Sequence, residues 1–296
     1  MRVTNSMVVR STLRDLNQSL SRLQATQSRI SSGKELTKAS DDPARAADAM
    51  GLRNDMRRMD QRLRTMEDSL GFLRTSDAAL TSSLDVLDRA KEIAVRAGNT
   101  GALADGNARQ AMATELRSIR DDLIAIGNSK HGDRFVFNGT AGTAAYASNG
   151  VYTGNTGSVN RQVGPTTTVT VNVVGTDIFG AQGGAVGDLF EVLDRMATAV
   201  LAGDGPAMAT EHANLDAAAK RVGAAAVEIG SRAARLETLQ GRALDDQMRL
   251  RSSLSQAEDV DLVEALVNVK AQETSYQAAL QIAGRILPPT LLDFLR

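Results

Sequence analysis

Residues 52–87 read LRNDMRRMDQRLRTMEDSLGFLRTSDAALTSSLDVL. Their apolar positions fall at Leu52, Met56, Met59, Leu63, Met66, Leu70 and Leu73. The pattern then passes through Asp77 to Leu80, Leu84 and Leu87. The steps alternate between four and three, the spacing of a narrow a/d seam along one long helix. No proline interrupts the chain between Pro43 and Pro165, and Gly51 and Gly71 are the only glycines from 44 to 97. A continuous helix over about 43–97 spans roughly 80 Å at 1.5 Å per residue, which is longer than a compact domain is wide. The expected fold is therefore mainly α, a rod of long helices with heptad patterning.

The same spacing recurs on both sides of this stretch. Near the start it runs Leu13, Leu16, Leu20, Leu23, Gln27, Ile30, and a central helix carries Met112, Leu116, Ile119, Leu123 and Ile126. Beyond Pro206 come Met208, His212, Leu215, Ala219, Val222, Ala226, Ile229, Ala233 and Leu236, then Leu250 and Leu254. The last stripe is Leu262, Leu266, Val269, Glu273, Tyr276, Leu280, Ala283, Leu287. Each stripe needs a partner helix to cover it. Helix limits are marked as well. Asp41-Asp42-Pro43 offers an N-cap followed by proline at the first helical position, and Asp261 with Glu264 has the form of a capping box. Gly98-Asn99-Thr100-Gly101 reads as a break, and a helix from Gly187 to Leu201 ends at Gly203-Asp204-Gly205-Pro206.

One segment differs. Between 135 and 187 the only charges are Arg161 and Asp177, and twelve of the 25 glycines lie between 132 and 187. Thr168-Val169-Thr170-Val171-Asn172-Val173 alternates as a half-buried strand does, and Asn149-Gly150 between Tyr146 and Tyr152 signals a hairpin. The expected organisation is a terminal helical part (1–40 and 255–296), a long-helix bundle (41–134 and 187–254) and a β-rich insertion (135–186) at the tip.

Composition narrows the function. Of 296 residues 42% are hydrophobic, 23% charged and 3% aromatic, and 34 Lys and Arg against 35 Asp and Glu leave a net charge of −1. That balance gives no support to a nucleic-acid partner. No apolar run is long enough for a membrane span, and the first residues lack the apolar stretch of a secretory signal. There is no cysteine, hence no disulfide, thiol nucleophile or thiolate metal site. The two histidines, His131 and His212, are far apart in sequence and have no metal-ligand spacing. His212 falls on a heptad position and reads as a bundle residue, while His131, beside Gly132 and Asp133, reads as a loop residue. The glycines of 180–187 lie after a strand and before a helix but fit no phosphate-binding pattern, so they read as a turn. Arg57, Arg58, Arg62 and Arg64 form a solvated face. No catalytic residue, metal ligand or cofactor site is expected, and an enzyme is poorly supported.

Charge differs between the ends. Residues 1–30 carry Arg2, Arg10, Arg14, Arg22 and Arg29 against Asp15, a balance of +4. Residues 254–296 carry three cations against Glu258, Asp259, Asp261, Glu264, Glu273 and Asp293, a balance of −3. The two end helices are therefore expected to pair along their seams, with Leu266→Asp expected to abolish the pairing.

Ser31-Ser32-Gly33-Lys34-Glu35-Leu36, followed by Ala39-Ser40-Asp41-Asp42-Pro43-Ala44, resembles the N-terminal signature of the bacterial flagellins and their junction relatives. Gln272-Glu273-Thr274-Ser275-Tyr276-Gln277-Ala278-Ala279-Leu280 and the closing Leu291-Leu292-Asp293-Phe294-Leu295-Arg296 look like the matching C-terminal helix, although Pro288-Pro289 departs from the pattern. Three further features are similar to the hook–filament junction members rather than to filament subunits. They are Met1-Arg2-Val3-Thr4 with Met7, Asp133-Arg134-Phe135-Val136-Phe137-Asn138-Gly139-Thr140, and Val151-Tyr152-Thr153-Gly154 leading to Val171-Asn172 and Gly175-Thr176-Asp177-Ile178-Phe179-Gly180. The resemblance implies an extracellular flagellar protein exported without a cleaved signal. It implies assembly with copies of itself, a hook-side junction neighbour and flagellin, and an export chaperone that holds the C-terminal helix. The assembly surface is then expected at Leu13, Leu16, Leu20, Leu23 and Ile30 on the first helix. On the last helix it is expected at Leu262, Leu266, Val269, Tyr276, Leu280, Ala283 and Leu287. The rival readings are a filament subunit and a cytoplasmic coiled-coil binding module.

Overall fold

The computed structural model describes residues 5–98, 105–184 and 187–286. Its elements in chain order are α1 (Asn5–Ser32), α2 (Pro43–Gly98), α3 (Gly106–Gly127), β1 (Lys130–His131), β2 (Arg134–Phe135), β3 (Asn160–Gln162), β4 (Thr168–Thr170), α4 (Gly175–Phe179), α5 (Leu189–Ala202), α6 (Gly205–Glu258) and α7 (Leu262–Ile286). Helices dominate, and the strands form two antiparallel pairs, β1–β2 and β3–β4. The opening Met1–Thr4, the Asn99–Gly101 part of the expected break, Leu287, Pro288-Pro289 and the closing motif lie outside the described residues.

The chain divides into two compact units: Met1–Arg58 with Asp246–Arg296, and Met59–Asp245. The second holds the large core. Along α2 the expected seam is deepest at Leu73, Leu80 and Leu87, which are fully buried, while Leu63 and Leu84 are half-buried. One position of the seam differs. Asp77 is exposed, and Ser76 takes its place inside. Ser76 belongs to a second buried row, Ser69, Ser76, Ser83, Ala90 and Ala97, spaced every seven residues and at most 1% exposed. Its serines satisfy their hydroxyls within the helix, donating to the carbonyls of Thr65, Phe72 and Ala79 at 2.6–2.9 Å. A serine can be buried this way because no polar atom is left unpaired. α2 and α6 run antiparallel, as Arg74–Glu237 (2.9 Å) and Lys91–Asp216 (3.4 Å) show. On α6, Leu215, Val222, Ile229 and Leu236 of the expected stripe are fully buried.

The insertion carries less strand than its alternation suggests, since β4 stops at Thr170 rather than continuing to Val173. Side chains hold its loops instead. Asn138 Nδ2 donates to Thr143 O (2.9 Å), Asn172 Nδ2 donates to Gly157 O (2.9 Å), and the Tyr152 hydroxyl reaches Asn155 O (2.9 Å). Burial pushes that hydroxyl up to about 12, so it remains a donor. The Asn149-Gly150 hairpin forms, with Tyr146 bridging Tyr152 and Gly150 at φ +85°. A side chain at Gly150 would also press on Phe190, 3.0 Å from its Cβ. Phe137, Tyr146 and Phe179 stack edge-on at 5.7–5.9 Å, and Tyr146 meets Phe190 of α5 at 4.9 Å. This aromatic cluster is the insertion's core.

His131 does not sit in a loop as expected. It lies in β1, 6.0 Å edge-on to Phe72, with its ring against Gly71 of α2. His212 is half-buried on α6 as its heptad position suggests, with Nε2 3.9 Å from Asp216.

Candidate assembly site

The first unit contains the two end helices and the turns that join them to the long ones. α1 and α7 pack against each other and run antiparallel. The Thr26 hydroxyl lies 3.1 Å from Gln272 Oε1, while just past the end of α1 the chain at Lys34 bridges Asp259, just before α7. Leu23 is the buried anchor of α1, flanked by half-buried Leu16, Leu20 and Ile30, while Leu13 stays 47% exposed.

On α7 the packed seam is Ala265, Val269, Gln272, Tyr276, Ala279 and Ala283, again in steps of four and three. Ala265 and Ala283 are buried and the others half-buried. This seam shares Val269, Tyr276 and Ala283 with the expected stripe but not the rest. Leu262, Leu266 and Leu280 are 46–58% exposed and lie off it, so Leu266 does not face α1 and cannot be the residue whose loss abolishes the pairing. Both stripes obey the same spacing because they share every other position. The chain places the small residues toward α1, where close approach of the helices favours them. Outward, Leu262, Val263, Leu266 and Val267 form a compact apolar patch on the first turns of α7, each more than half exposed. Leu287, the last residue of the expected stripe, lies outside the described residues.

A charge cluster secures the turns. Glu258, at the end of α6, is almost fully buried, and its carboxylate lies between two cations. Lys34 Nζ donates to Oε2 (2.6 Å), Arg53 Nη2 donates to the same oxygen (2.7 Å), and Arg53 Nε is 2.6 Å from Oε1. The backbone joins in, with Glu35 N–H donating to Glu258 O (2.8 Å) and Val260 N–H donating to Gly33 O (3.1 Å). Arg45 adds a bond to Ala257 O (3.2 Å) and an ion pair to Glu35 (2.9 Å). The Ser31–Leu36 signature is thus a strap pinned to the end of α6. Sequence reading gave Glu258 no role because its partners are more than 200 residues away.

The two aspartates of the signature have separate tasks. Asp42 caps α2, accepting from Ala44 N–H (3.1 Å) and Arg45 N–H (3.0 Å), with Pro43 as the first helical residue. Asp41 closes the turn before it, accepting from the Thr37 hydroxyl and Lys38 N–H, bonds that hold its carboxyl below the usual range. Asp261 caps α7 through Val263 and Glu264 N–H groups.

Burial alone would raise the Glu258 carboxyl, but the hydrogen bonds and charges of Arg53 and Lys34 outweigh it and hold the group below its ordinary 4.5. Its ionised form therefore stabilises the strap above about pH 4.5, and that contribution disappears as pH falls through the lower folded value. Both cations are nearly half exposed, so solvent screens part of that contribution. The Glu35 amide should exchange its hydrogen faster, relative to its intrinsic rate, on acidification below pH 4.5. A Glu258→Gln chain should show no such step, and a step of equal size in that variant overturns the assignment.

Among the described residues, no helix is long and apolar enough to cross a membrane, and no group of three or more His, Asp or Glu could hold a metal. Residues 3–141 match the family model of the bacterial flagellin N-terminal helical region. Across its whole length the chain is 28% identical to a flagellin of Bacillus subtilis, and both chains are covered completely. It is 27% identical to flagellar hook-associated protein 3 of Salmonella typhimurium, with 94% of this chain and 95% of that one covered. Among solved structures, flagellar hook-associated protein 3 of Legionella pneumophila shares the fold at a TM-score of 0.60. Its identity is 15%, and 69% of this chain and 97% of that one are covered.

Proposed function

We propose that this chain, a relative of the bacterial flagellins and of flagellar hook-associated protein 3, is a non-enzymatic structural adaptor that joins the hook side of the flagellum to its filament. The similarity to the hook-associated protein, over 94% of this chain and 95% of that one, carries this reading. The junction-like motifs Asp133–Thr140 and Val151–Gly154 support it. Its mechanism is polymerisation. Paired α1 and α7 bury only one of the two stripes on α7, and the outward stripe is covered when subunits meet. An exposed apolar patch of this kind marks an interaction surface. In this reading residues 1–40 and 255–296 form an inner layer, 41–134 and 187–254 the next, and 135–186 the outermost. The partners are further copies, a hook-side junction protein, flagellin and an export chaperone at the C-terminal helix. The place is outside the cell, reached without a cleaved signal.

A second reading, filament subunit, is favoured by the complete match to a flagellin. Immunogold electron microscopy with an antibody against residues 135–187 separates the two. One narrow band where hook meets filament supports the adaptor. Label along the filament makes the chain a flagellin, and label confined to the cytoplasm removes both readings.

A further inference from the structure

Gly71 stands in the middle of a 56-residue helix, where glycine weakens the helix and alanine ordinarily strengthens it. The structure gives a reason for the glycine. A Cβ at position 71 would lie 2.7 Å from Cε1 and 3.2 Å from Nε2 of His131, so the imidazole occupies the notch that the missing side chain leaves. The ring is held on its other sides as well. Nδ1 is 3.2 Å from the Thr75 hydroxyl oxygen, and Phe72 meets the ring edge-on. Nε2 is 3.7 Å from Asp68 Oδ1.

Asp68, one turn before Gly71, gathers two more groups. Its Oδ2 is approached by Arg134 Nη2 (3.2 Å) from β2 and by Arg161 Nη2 (3.6 Å) from β3. Arg161 is the only Arg or Lys between 135 and 187, so the insertion's single cation is used here. A single turn of α2 thus receives residues from β1, β2 and β3. The β3–β4 hairpin has a second attachment, from α6, where Arg232 Nη1 donates to Asn172 O (2.7 Å).

We propose that Asp68 and the Gly71 notch form a clasp that fixes the insertion to α2, with His131 as its key. Seated, the key ties both small hairpins to the helix. Displaced, it loosens the contacts made at Asp68, and the β3–β4 hairpin keeps the Arg232 bond and its buried Val163, Val169 and Val171. The clasp is independent of whether the chain is an adaptor or a filament subunit.

The test is sign reversal in the full-length chain. Trypsin has one site in the insertion, after Arg161, and that residue is protected while it faces Asp68. Gly71→Ala should raise the rate of cleavage at Arg161 about tenfold by expelling the imidazole, although the same change in an ordinary helix is stabilising. In Gly71→Ala with His131→Ala the new methyl fills the vacated notch, and cleavage should return to within about threefold of the parent. Helix content by circular dichroism separates opening of the insertion from loss of the bundle. If Gly71→Ala fails to fold and the double variant folds, the key is confirmed by rescue. A double variant as cleavable as Gly71→Ala alone, or as unable to fold, overturns the proposal. So does a Gly71→Ala chain cleaved no faster than the parent.

Discussion

A Leu80→Ala chain is expected to lose about 2–5 kcal/mol of stability, read as a lowered denaturant midpoint with unchanged slope. Leu80 is fully buried in the core of the second unit, and truncation leaves a cavity as well as lost apolar burial. The more telling comparison is between its neighbours on α2. Ser76 is 1% exposed, and a leucine there must force the surrounding side chains apart, at a cost of about 1–3 kcal/mol. Asp77 faces solvent, and Asp77→Leu should change stability by less than about 0.5 kcal/mol. The heptad reading of the sequence makes the opposite forecast, since it places position 77 in the seam and 76 outside. A Ser76→Leu midpoint equal to the parent's, with the Asp77→Leu midpoint displaced from it, would return the seam to position 77.

The reversal shows what a hydrophobic pattern can and cannot carry. Long helices are legible because leucine and methionine at steps of four and three leave few alternatives, and Leu73, Leu80 and Leu87 are buried as that spacing requires. Small residues carry no such signal. Ser69, Ser76 and Ser83 look like surface serines until the helix shows that each can satisfy its own hydroxyl at the preceding turn. The insertion was legible as a break in composition, less so in its internal order. Alternation in Thr168–Val173 overstates the strand, because the segment is held by asparagine and tyrosine side chains rather than by a long ladder. A usable signal was present. Phe135, Phe137, Tyr146, Tyr152, Phe179 and Phe190 are six of the nine Phe and Tyr in the chain, and five of them form the cluster that organises this region. Glu258 with Lys34 and Arg53 was not legible at all, since nothing local marks a pairing made across the whole chain length.

At the ends of the chain the same ambiguity has a functional consequence, and a Leu266→Asp chain should expose it. Residue 266 is 58% exposed and points away from α1, so the variant monomer should keep its α1–α7 pairing and a stability within about 0.5 kcal/mol of the parent. If the proposed function holds, incorporation into the flagellum should fail. Covering a leucine at a subunit contact is worth about 1.5–3 kcal/mol, and an aspartate enclosed there without a partner costs a few kcal/mol more. At about 1.4 kcal/mol per factor of ten, the combined loss weakens incorporation by roughly three orders of magnitude. The control is Ala265→Asp, one residue earlier and 6% exposed on the packed seam, which should separate α1 from α7 in the isolated chain. Motility and junction labelling report incorporation, and limited proteolysis of the purified chain reports the pairing. A Leu266→Asp chain that assembles normally removes the outward stripe from the proposed interface. One that loses its intramolecular pairing instead would mean that Leu262, Leu266 and Leu280 face α1 after all. Because the two stripes share Val269, Tyr276 and Ala283, only substitutions at the unshared positions tell them apart, and in the proposed reading α7 holds its own α1 while Leu262, Leu266 and Leu280 are left for a neighbour.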